Sequence, residues 1–381
     1  MKFTILTQNL KKGLSLVEKL TGKITTLPVL NNVLIETSSN FIKLTTTDLE
    51  LGIQWWGLSK IQEQGRVAVP AKIFSQLINN LSQEKIEIKE KNKILFLETE
   101  NYQAQIKGTY PDDFPIIPNF SKEKYIEINP SLLMDSLKSV VDVVNLSQVR
   151  PEISGIYFVI KNNEIKLVGT DSFRLAEKTI TDSEKNTFKN FFGKEINFIL
   201  PQRAAKELIN ILSDTKKNIK IYLSESQVLF ETQMQEIDQP EVNLISRLIE
   251  GEYPTYQDIV PKDFKTRVVL DKENFINQIK LASLFAGRTN EIKLKIDPKR
   301  KVFEILACGE EFGESKSNLS VKSFEGERLD ISFNWRFILD GLLNIKSSEI
   351  YFEFQNNSGP VVLRPIGDLS YFYIVMPIKP A

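Results

Sequence analysis

Three stretches of this chain repeat one pattern, a short apolar strand followed at once by a helix. They align without gaps: VAVPAKIFSQLINNL (67–81), FILPQRAAKELINIL (198–212) and ISFNWRFILDGLLNI (331–345). Pro70 and Pro201 stand at the strand-to-helix junction of the first two copies, where a fixed φ and a missing N–H suit a helix start. Asn334, a favourable N-cap residue, takes this place in the third. The repetition predicts a chain built from three similar parts.

A second strand-helix unit precedes each of these copies, and a pair of strand-like runs follows every helix. The openings are KFTILTQNLKKGLSLVEKL (2–20), YIEINPSLLMDSLKSVVDVV (125–144) and RVVLDKENFINQIKLASLF (267–285). The pattern predicts an α+β chain of three tandem domains, each made of two strand-helix-strand-strand halves, with mostly antiparallel sheets. Linkers that carry proline and charge, 115–124 and 258–266, place these domains at 1–120, 121–262 and 263–381.

The composition excludes several kinds of chemistry. The chain has no histidine, which removes the usual general base near neutral pH and the commonest metal ligand. Its 49 Lys and Arg balance 49 Asp and Glu, so any attraction to a polyanion must be local. Cys308 is the single cysteine and is expected to be an ordinary buried thiol. Without the residues that such chemistry usually needs, we expect a non-catalytic protein without metal or cofactor. With no membrane span and no signal-peptide core in the sequence, we expect it in the cytoplasm.

Two Thr-Asp pairs follow apolar runs at matching points of the first two domains. They contain Asp48 and Asp171. A short polar side chain that bonds its own backbone explains both pairs as turns. No partner acid or metal-ligand cluster is identifiable in the sequence, so we predict that Asp171 shapes a turn and is not catalytic. Only the second copy adds an arginine, Arg174, three residues downstream.

A basic residue recurs at two places in every domain. Two residues past each strand-to-helix junction stand Lys72, Arg203 and Arg336, and near the end of the other helix stand Lys23, Arg150 and Arg288. The helix dipole disfavours cations at helix N-termini, so the recurrence of Lys72, Arg203 and Arg336 at helix starts indicates a purpose other than helix stability. A surface of this kind is typical of proteins that meet the phosphates of a polyanion such as DNA.

The order and spacing of five short motifs carry a resemblance over the full chain. They are TLPVLNNVLI (26–35), VRPEISGIYF (149–158), GTDSFRLAEK (169–178), EGEYPTY (250–256) and YIVMPIK (373–379). The chain resembles the bacterial DNA polymerase III beta subunit, the replicative sliding clamp. The resemblance implies a head-to-tail homodimer closed into a ring around double-stranded DNA, with helices inside and antiparallel sheets outside. A few phosphate-facing cations suffice for a protein that holds DNA by topology.

The resemblance also implies a peptide-binding pocket on one face of the ring. Its clients would be the DNA polymerase III alpha subunit, the clamp loader, and repair polymerases and mismatch-repair proteins that carry clamp-binding peptides. A flexible methionine would let the pocket adapt to different partners, and one arginine would orient a polar group. Carried over by position, its walls are Ile153, Thr170, Arg174, Leu175, Pro254, Ile259, Ile374, Val375, Met376 and Pro377.

Ring closure in this family implies strand edges that pair across the subunit boundary. We expect the strand at 102–108 of one subunit to pair with the strands at 292–296 and 303–307 of the other. The residues assigned to this interface are Ile73, Leu77, Ile106 and Leu294.

Two other functions remain open from the residues. One is a metal-dependent nuclease with carboxylates at Asp48, Asp171 and Glu250, which would require a cleft that gathers them around a divalent ion. The other is a peptide-binding scaffold that has the clamp fold but does not encircle DNA.

Overall fold

The computed structural model describes residues 1–22, 27–118, 120–161, 164–181 and 195–379. These residues form two compact units. The first contains 1–134 and 206–248, and the second contains 135–181, 195–205 and 249–379. The α-helices of the described residues are α1 (Thr7–Val17), α2 (Ala71–Asn80), α3 (Pro130–Val141), α4 (Gln202–Leu212), α5 (Lys272–Ser283) and α6 (Trp335–Leu343).

The first unit contains two antiparallel sheets. One has five strands in the order β5-β1-β7-β8-β9, and the other has eight strands in the order β10-β15-β16-β17-β4-β3-β2-β6. The strands are β1 (Lys2–Leu6), β2 (Asn32–Ser38), β3 (Phe41–Thr47), β4 (Leu51–Leu58), β5 (Lys60–Glu63), β6 (Arg66–Pro70), β7 (Lys85–Lys91), β8 (Ile94–Glu98), β9 (Gln103–Lys107), β10 (Ile126–Ile128), β15 (Ile219–Leu223), β16 (Gln227–Gln233) and β17 (Pro240–Arg247).

The second unit contains sheets of nine and four strands, again antiparallel. Their orders are β14-β11-β12-β13-β26-β25-β24-β18-β22 and β21-β20-β19-β23. The strands are β11 (Gly155–Lys161), β12 (Glu164–Thr170), β13 (Arg174–Thr181), β14 (Ile196–Pro201), β18 (Thr266–Asp271), β19 (Glu291–Asp297), β20 (Val302–Gly309), β21 (Gly313–Asn318), β22 (Val321–Gly326), β23 (Leu329–Asn334), β24 (Glu349–Phe354), β25 (Val361–Pro365) and β26 (Tyr371–Val375).

Each of the two larger sheets joins strands from successive sequence repeats. In the first unit β4 pairs with β17, and in the second β13 pairs with β26. The backbone hydrogen bonds of one repeat therefore continue into the next, and the compact units cut across the repeats. The two junctions occupy corresponding places in the chain, so they can be compared residue by residue.

The helix starts follow the predicted chemistry. Asn334 caps α6, and its side-chain oxygen accepts a hydrogen bond from the backbone N–H of Arg336 at 3.1 Å. Asp271 caps α5 in the same way, accepting from Asn274 N at 2.8 Å. Pro70 lies at the N-cap position of α2, where its missing N–H removes no helical hydrogen bond.

The cores come from alternating strands and one-sided helices. In β19, Ile292, Leu294 and Ile296 are buried between lysines that face outward. On α2, Phe74 and Ile78 lie four residues apart on the buried face.

Cys308 corrects one expectation, because its thiol is exposed and not buried. Along β20 the inward positions are Phe303, Ile305 and Ala307, so Cys308 falls on the outer phase of the strand.

Within the described residues, no helix is long and apolar enough to cross a membrane.

Candidate functional site

The turn that begins at Thr170 is held together by its own side chains. Asp171 Oδ1 accepts hydrogen bonds from the backbone N–H groups of Phe173 and Arg174, both at 3.0 Å. The Thr170 hydroxyl donates to Arg174 O at 2.7 Å and accepts from Ser172 N at 3.2 Å. Ser172 takes the left-handed backbone conformation, with φ of +77°, that such a turn requires. The predicted turn role of Asp171 is confirmed.

Arg174 is fixed within its own unit. Its Nε donates to Asp171 Oδ2 at 2.9 Å, one terminal nitrogen bonds Asp340 on α6, and the other donates to Asp142 O at 3.2 Å. The guanidinium also lies 4.7 Å from the centre of the Phe337 ring, a cation–π contact. Burial acts to lower the pKa of Arg174, but the neighbouring tyrosine and carboxylates outweigh it and raise that pKa.

These contacts give Arg174 a structural role besides the predicted one. That its guanidinium orients a polar group of a bound peptide stays a prediction, and each of its three nitrogens already has one acceptor within the chain. The side chain is only 11% exposed. Arg174 therefore fastens the turn to α6, because charge-assisted hydrogen bonds to two carboxylates are stronger than neutral ones.

The ten predicted pocket residues divide into two groups by burial. The buried residues form hydrophobic core or turn structure, so a partner cannot contact all of them as walls of a pocket. They are Ile153, Thr170, Leu175, Ile374 and Val375. Those that retain exposed surface are Arg174, Pro254, Ile259, Met376 and Pro377. We call the buried group the floor of the site and the exposed group its rim.

Three separate segments meet at this floor. In the β13–β26 ladder Arg174 pairs with Val375 and Leu175 with Ile374. Just beyond the ladder, Met376 N donates to Phe173 O at 2.8 Å. Leu175 and Ile374 share a buried cluster with Tyr256, which belongs to the linker after β17.

Tyr256 also ties the linker to β13 through its hydroxyl. It donates to Glu177 Oε2 at 2.6 Å in a buried setting. Burial and the bond to the carboxylate raise the pKa of Tyr256, so the hydroxyl stays protonated as a donor. The linker is therefore anchored by both apolar and polar contacts, which places Ile259, 49% exposed, at the edge of the floor.

Sequence reasoning missed the contribution of α6. Phe337 stacks on Phe173 with ring centres 6.3 Å apart, and Asp340 binds Arg174. The two residues are three apart on one helical face, but this spacing alone does not tell which partner they meet. Tyr373 of β26 adds a bond from its hydroxyl to Phe337 O at 2.7 Å.

We predict that Gly341→Val disturbs this arrangement. A Cβ at Gly341 would stand 2.5 Å from the Tyr373 ring, so the added side chain must push α6 away from β26. Overpacking of this kind costs about 1–3 kcal/mol. Thermal unfolding should show a lower Tm. Leu343→Val, which introduces the same residue at an exposed site of α6, is the matched control and should leave Tm nearly unchanged.

The predicted DNA-facing cations differ in their surroundings. Lys72, Arg288 and Arg336 are exposed, and Lys72 and Arg336 lie in the first turns of their helices. Arg203 is half-buried on α4. Arg150 lies in the loop after α3, where it donates to Glu152 Oε1 at 3.1 Å and to Ser172 Oγ at 3.3 Å. Lys23 lies outside the described residues.

Family models match successive parts of the chain, and together they span nearly all of it. They are described as the N-terminal domain (residues 1–118), the central domain (127–255) and the C-terminal domain (257–379) of the DNA polymerase III beta subunit. The chain belongs to the DNA polymerase III beta subunit family. The predicted function, a DNA sliding clamp, and the predicted fold of three clamp domains are confirmed by this membership.

Individual relatives agree over their full lengths. The beta sliding clamp of Staphylococcus aureus is 28% identical over 388 residues, which cover 100% of this chain and 99% of the relative. The solved sliding clamp of Bacillus subtilis has a TM-score of 0.92 at 26% identity, and the beta subunit of Thermotoga maritima a TM-score of 0.89 at 26% identity. Both comparisons cover 100% of each chain.

The strand edges of the chain correct the predicted interface. The strand at 102–108 is an edge, since β9 ends the five-stranded sheet. The strands at 292–296 and 303–307 are not edges, because β19 lies between β20 and β23, and β20 lies between β19 and β21. The edges of that four-stranded sheet are β21 and β23 instead.

The side chains assigned to the interface also divide by exposure. Ile73 is 56% exposed and Leu77 is half-buried, so both can contact another molecule. Ile106 and Leu294 are buried in the cores of their own units, because both lie at inward positions of their strands. Their side chains therefore offer no exposed surface to a partner subunit, whereas the backbone of edge strand β9, which contains Ile106, is free to pair with another strand.

The carboxylates named for a nuclease gain no support from the structure. Asp48 and Asp171 each use an oxygen to accept turn N–H groups. Among the described residues, no three His, Cys, Asp or Glu side chains come together as a possible metal site.

Proposed function

We propose that this chain binds clamp-binding peptides at the site where the Thr170–Arg174 turn, the end of β26 and the linker after β17 meet. The observation that carries the proposal is the shared cluster of Leu175, Ile374 and Tyr256, which brings these three segments together. A partner would contact the accessible rim above that floor. Peptide sites of this type combine apolar walls with few polar groups.

Met376 and Ile259 are the rim residues that we assign to direct contact. Met376 is flexible enough to fit different client peptides, and Ile259 supplies an exposed aliphatic surface. Phe173, 61% exposed, extends the rim toward α6. The clients in this proposal are the DNA polymerase III alpha subunit, the clamp loader, repair polymerases and mismatch-repair proteins.

The second part of the proposal concerns DNA. A ring of two chains would encircle the duplex and tether the polymerase by topology, without chemical turnover and in the cytoplasm. Lys72, Arg288 and Arg336 would meet phosphates, since they are exposed and recur at equivalent places of the repeats. Arg150 and Arg203 would contribute less, because Arg150 donates to both Glu152 and Ser172 and Arg203 is half-buried. Arg288 also forms an ion pair, with Glu311 at 3.6 Å, but its side chain is 93% exposed, against 46% for Arg150.

The dimer would form between unlike ends of the chain, with the domains bounded at 1–120, 121–262 and 263–381. The edge of β9 would pair with the edge of β21 in the other subunit. Beside β21, a depression of about 710 Å³ is lined in part by Leu284 and Phe312, both exposed. Ile73 of the opposing subunit would pack against the apolar surface of this depression.

Retention on circular DNA tests the ring. Protein placed on a nicked circular plasmid by the clamp loader of the same genome should stay with the DNA through gel filtration. Cutting the plasmid once should release it, because a topological link has no other anchor. Ile73→Asp, which puts a charge into the proposed dimer contact, should not be retained on either DNA.

The outcome also separates the alternatives. Equal binding of circular and linear DNA would contradict the ring, and peptide binding without retention on circles would favour the scaffold function. Metal-dependent cleavage of the plasmid by the pure protein would favour a nuclease.

A further inference from the structure

The first unit contains a second copy of the turn that shapes the proposed pocket. Asp48 Oδ1 accepts from the backbone N–H groups of Glu50 at 3.1 Å and Leu51 at 2.8 Å, as Asp171 does in its own turn. The Thr47 hydroxyl donates to Leu51 O at 3.0 Å and accepts from Leu49 N at 3.0 Å. Leu49 has a φ of +79°, close to the value at the corresponding residue of the second unit.

The strand next to each turn pairs in the same register. Leu51 faces Ser246 and Gly52 faces Ile245, in the places of the pairs that Arg174 and Leu175 make with β26. Beyond the ladder, Arg247 N donates to Glu50 O at 2.8 Å, the length found for the corresponding bond from Met376. Residues can therefore be matched across the two units: Gly52 with Leu175, Ile245 with Ile374, and Arg247 with Met376.

The linkers match as well. GTYPDDFPIIP (108–118) and GEYPTYQDIVP (251–261) align without gaps, which pairs Ile116 with Ile259 and Ile117 with Val260. Ile117 and Val260 are both partly buried against the cluster of their own unit. Ile116 is 95% exposed, so this aliphatic side chain stands in solvent where its counterpart forms the rim of the proposed pocket.

One difference changes the floor in the first unit. Glycine at position 52 supplies no side chain where Leu175 does, and Ile117 takes up part of that space, with its tip 3.1 Å from where a Cβ would stand. A depression of about 200 Å³ remains between the turn, the end of β17 and the linker. Its lining includes Leu49, Ile116 and Ile245.

We propose that this depression is a second, smaller peptide-binding site of the same design. It takes one aliphatic side chain of an extended segment, because its volume is below the usual range of about 300–1,000 Å³ for small-molecule pockets. The inference rests on the proposed function, since the pocket of the second unit is its template. Covering Ile116 would remove an exposed aliphatic side chain from water.

The rim of the second site sets the chemistry of its ligand. Glu50 and Arg247 are exposed and line the depression, where the corresponding residues of the second unit are the apolar Phe173 and Met376. Opposite charges on the rim favour a segment that carries a basic residue on one side of the aliphatic one and an acidic residue on the other. Peptides suited to the two sites therefore differ.

Methyl NMR of the full-length protein tests the proposal. The probes are the capped tripeptides Lys-Leu-Asp and Asp-Leu-Lys, with Lys-Ala-Asp and Asp-Ala-Lys as controls, and the reporter is the Ile245 methyl signal. We expect one of the leucine peptides to bind at least about tenfold more tightly than its alanine control, because the depression holds an aliphatic side chain. Ile116→Ala should weaken that binding by a similar factor.

Ile259→Ala is the matched variant in the second unit and should leave the Ile245 response unchanged. The Ile374 methyl signal, titrated with the polymerase alpha subunit, reports the proposed pocket independently. An Ile245 signal that does not respond at millimolar peptide, or responds equally to leucine and alanine peptides, overturns the second site. A silent Ile374 signal contradicts the proposed function instead.

Discussion

Replacing Met376 and Ile259 together by alanine should weaken binding of the polymerase alpha subunit by about 30-fold or more. Truncation of an apolar contact residue on the rim should cost about 1 kcal/mol, so the two together should cost about 2 kcal/mol, and about 1.4 kcal/mol is a factor of ten. Both residues keep exposed surface on the rim, so truncating them removes contact area and little of the buried core. Surface plasmon resonance with immobilised alpha subunit would measure the affinity.

The control for this double variant is Leu369→Ala. Leu369 is 93% exposed and lies just before β26, whereas Met376 lies just after it, so the strand separates the two. The control should bind as the parent does. Equal losses in both proteins would contradict the pocket assignment. Circular dichroism should find the same Tm in all three proteins.

Leu175 is a poor choice for the same test. It is 1% exposed and shares a cluster with Tyr256 and Ile374, so truncation to alanine removes core packing. Substitutions of buried leucine by alanine cost about 2–5 kcal/mol. A loss of binding in that variant would not separate a contact with the partner from a loosened fold.

The repeat made most of the fold predictable from the sequence. Apolar periodicity and junction residues such as Asn334 depend only on local chemistry, and the six predicted helices and their flanking strands are found where expected among the described residues. The turn role of Asp171 was predictable for the same reason, since its hydrogen bonds stay within three residues.

Burial and edge position were not predictable in the same way. Ile106 and Leu294 fit an apolar interface by residue type, but their strand phase turns them inward. The internal position of β19 depends on which strands pair across long stretches of chain, and periodicity carries no information on that pairing. The contact of Arg174 with Asp340 was missed because it joins residues 166 apart in sequence.

The largest electrostatic effect should come from reversing three exposed cations. We predict that the combined Lys72→Glu, Arg288→Glu and Arg336→Glu variant loads poorly onto primed DNA. The slope of log K against log salt is negative, and each lost phosphate contact makes it less steep by about 0.9, so three lost contacts make it less steep by about 3 for each chain. Like charges facing the phosphates would also repel the duplex. Loading assays over a range of salt concentrations would measure both effects.

The matched control reverses three exposed lysines outside the helices, Lys60, Lys262 and Lys299. It changes the net charge by the same amount, so a general effect of charge on solubility or loading would affect both variants alike. Because these lysines do not share the repeated positions of Lys72 and Arg336, we expect the control to load with the parent's salt dependence. Loading that falls equally in both variants would show that total charge, and not a DNA-facing surface, governs the interaction. Normal loading of the first variant would mean that Lys72, Arg288 and Arg336 are simply solvated.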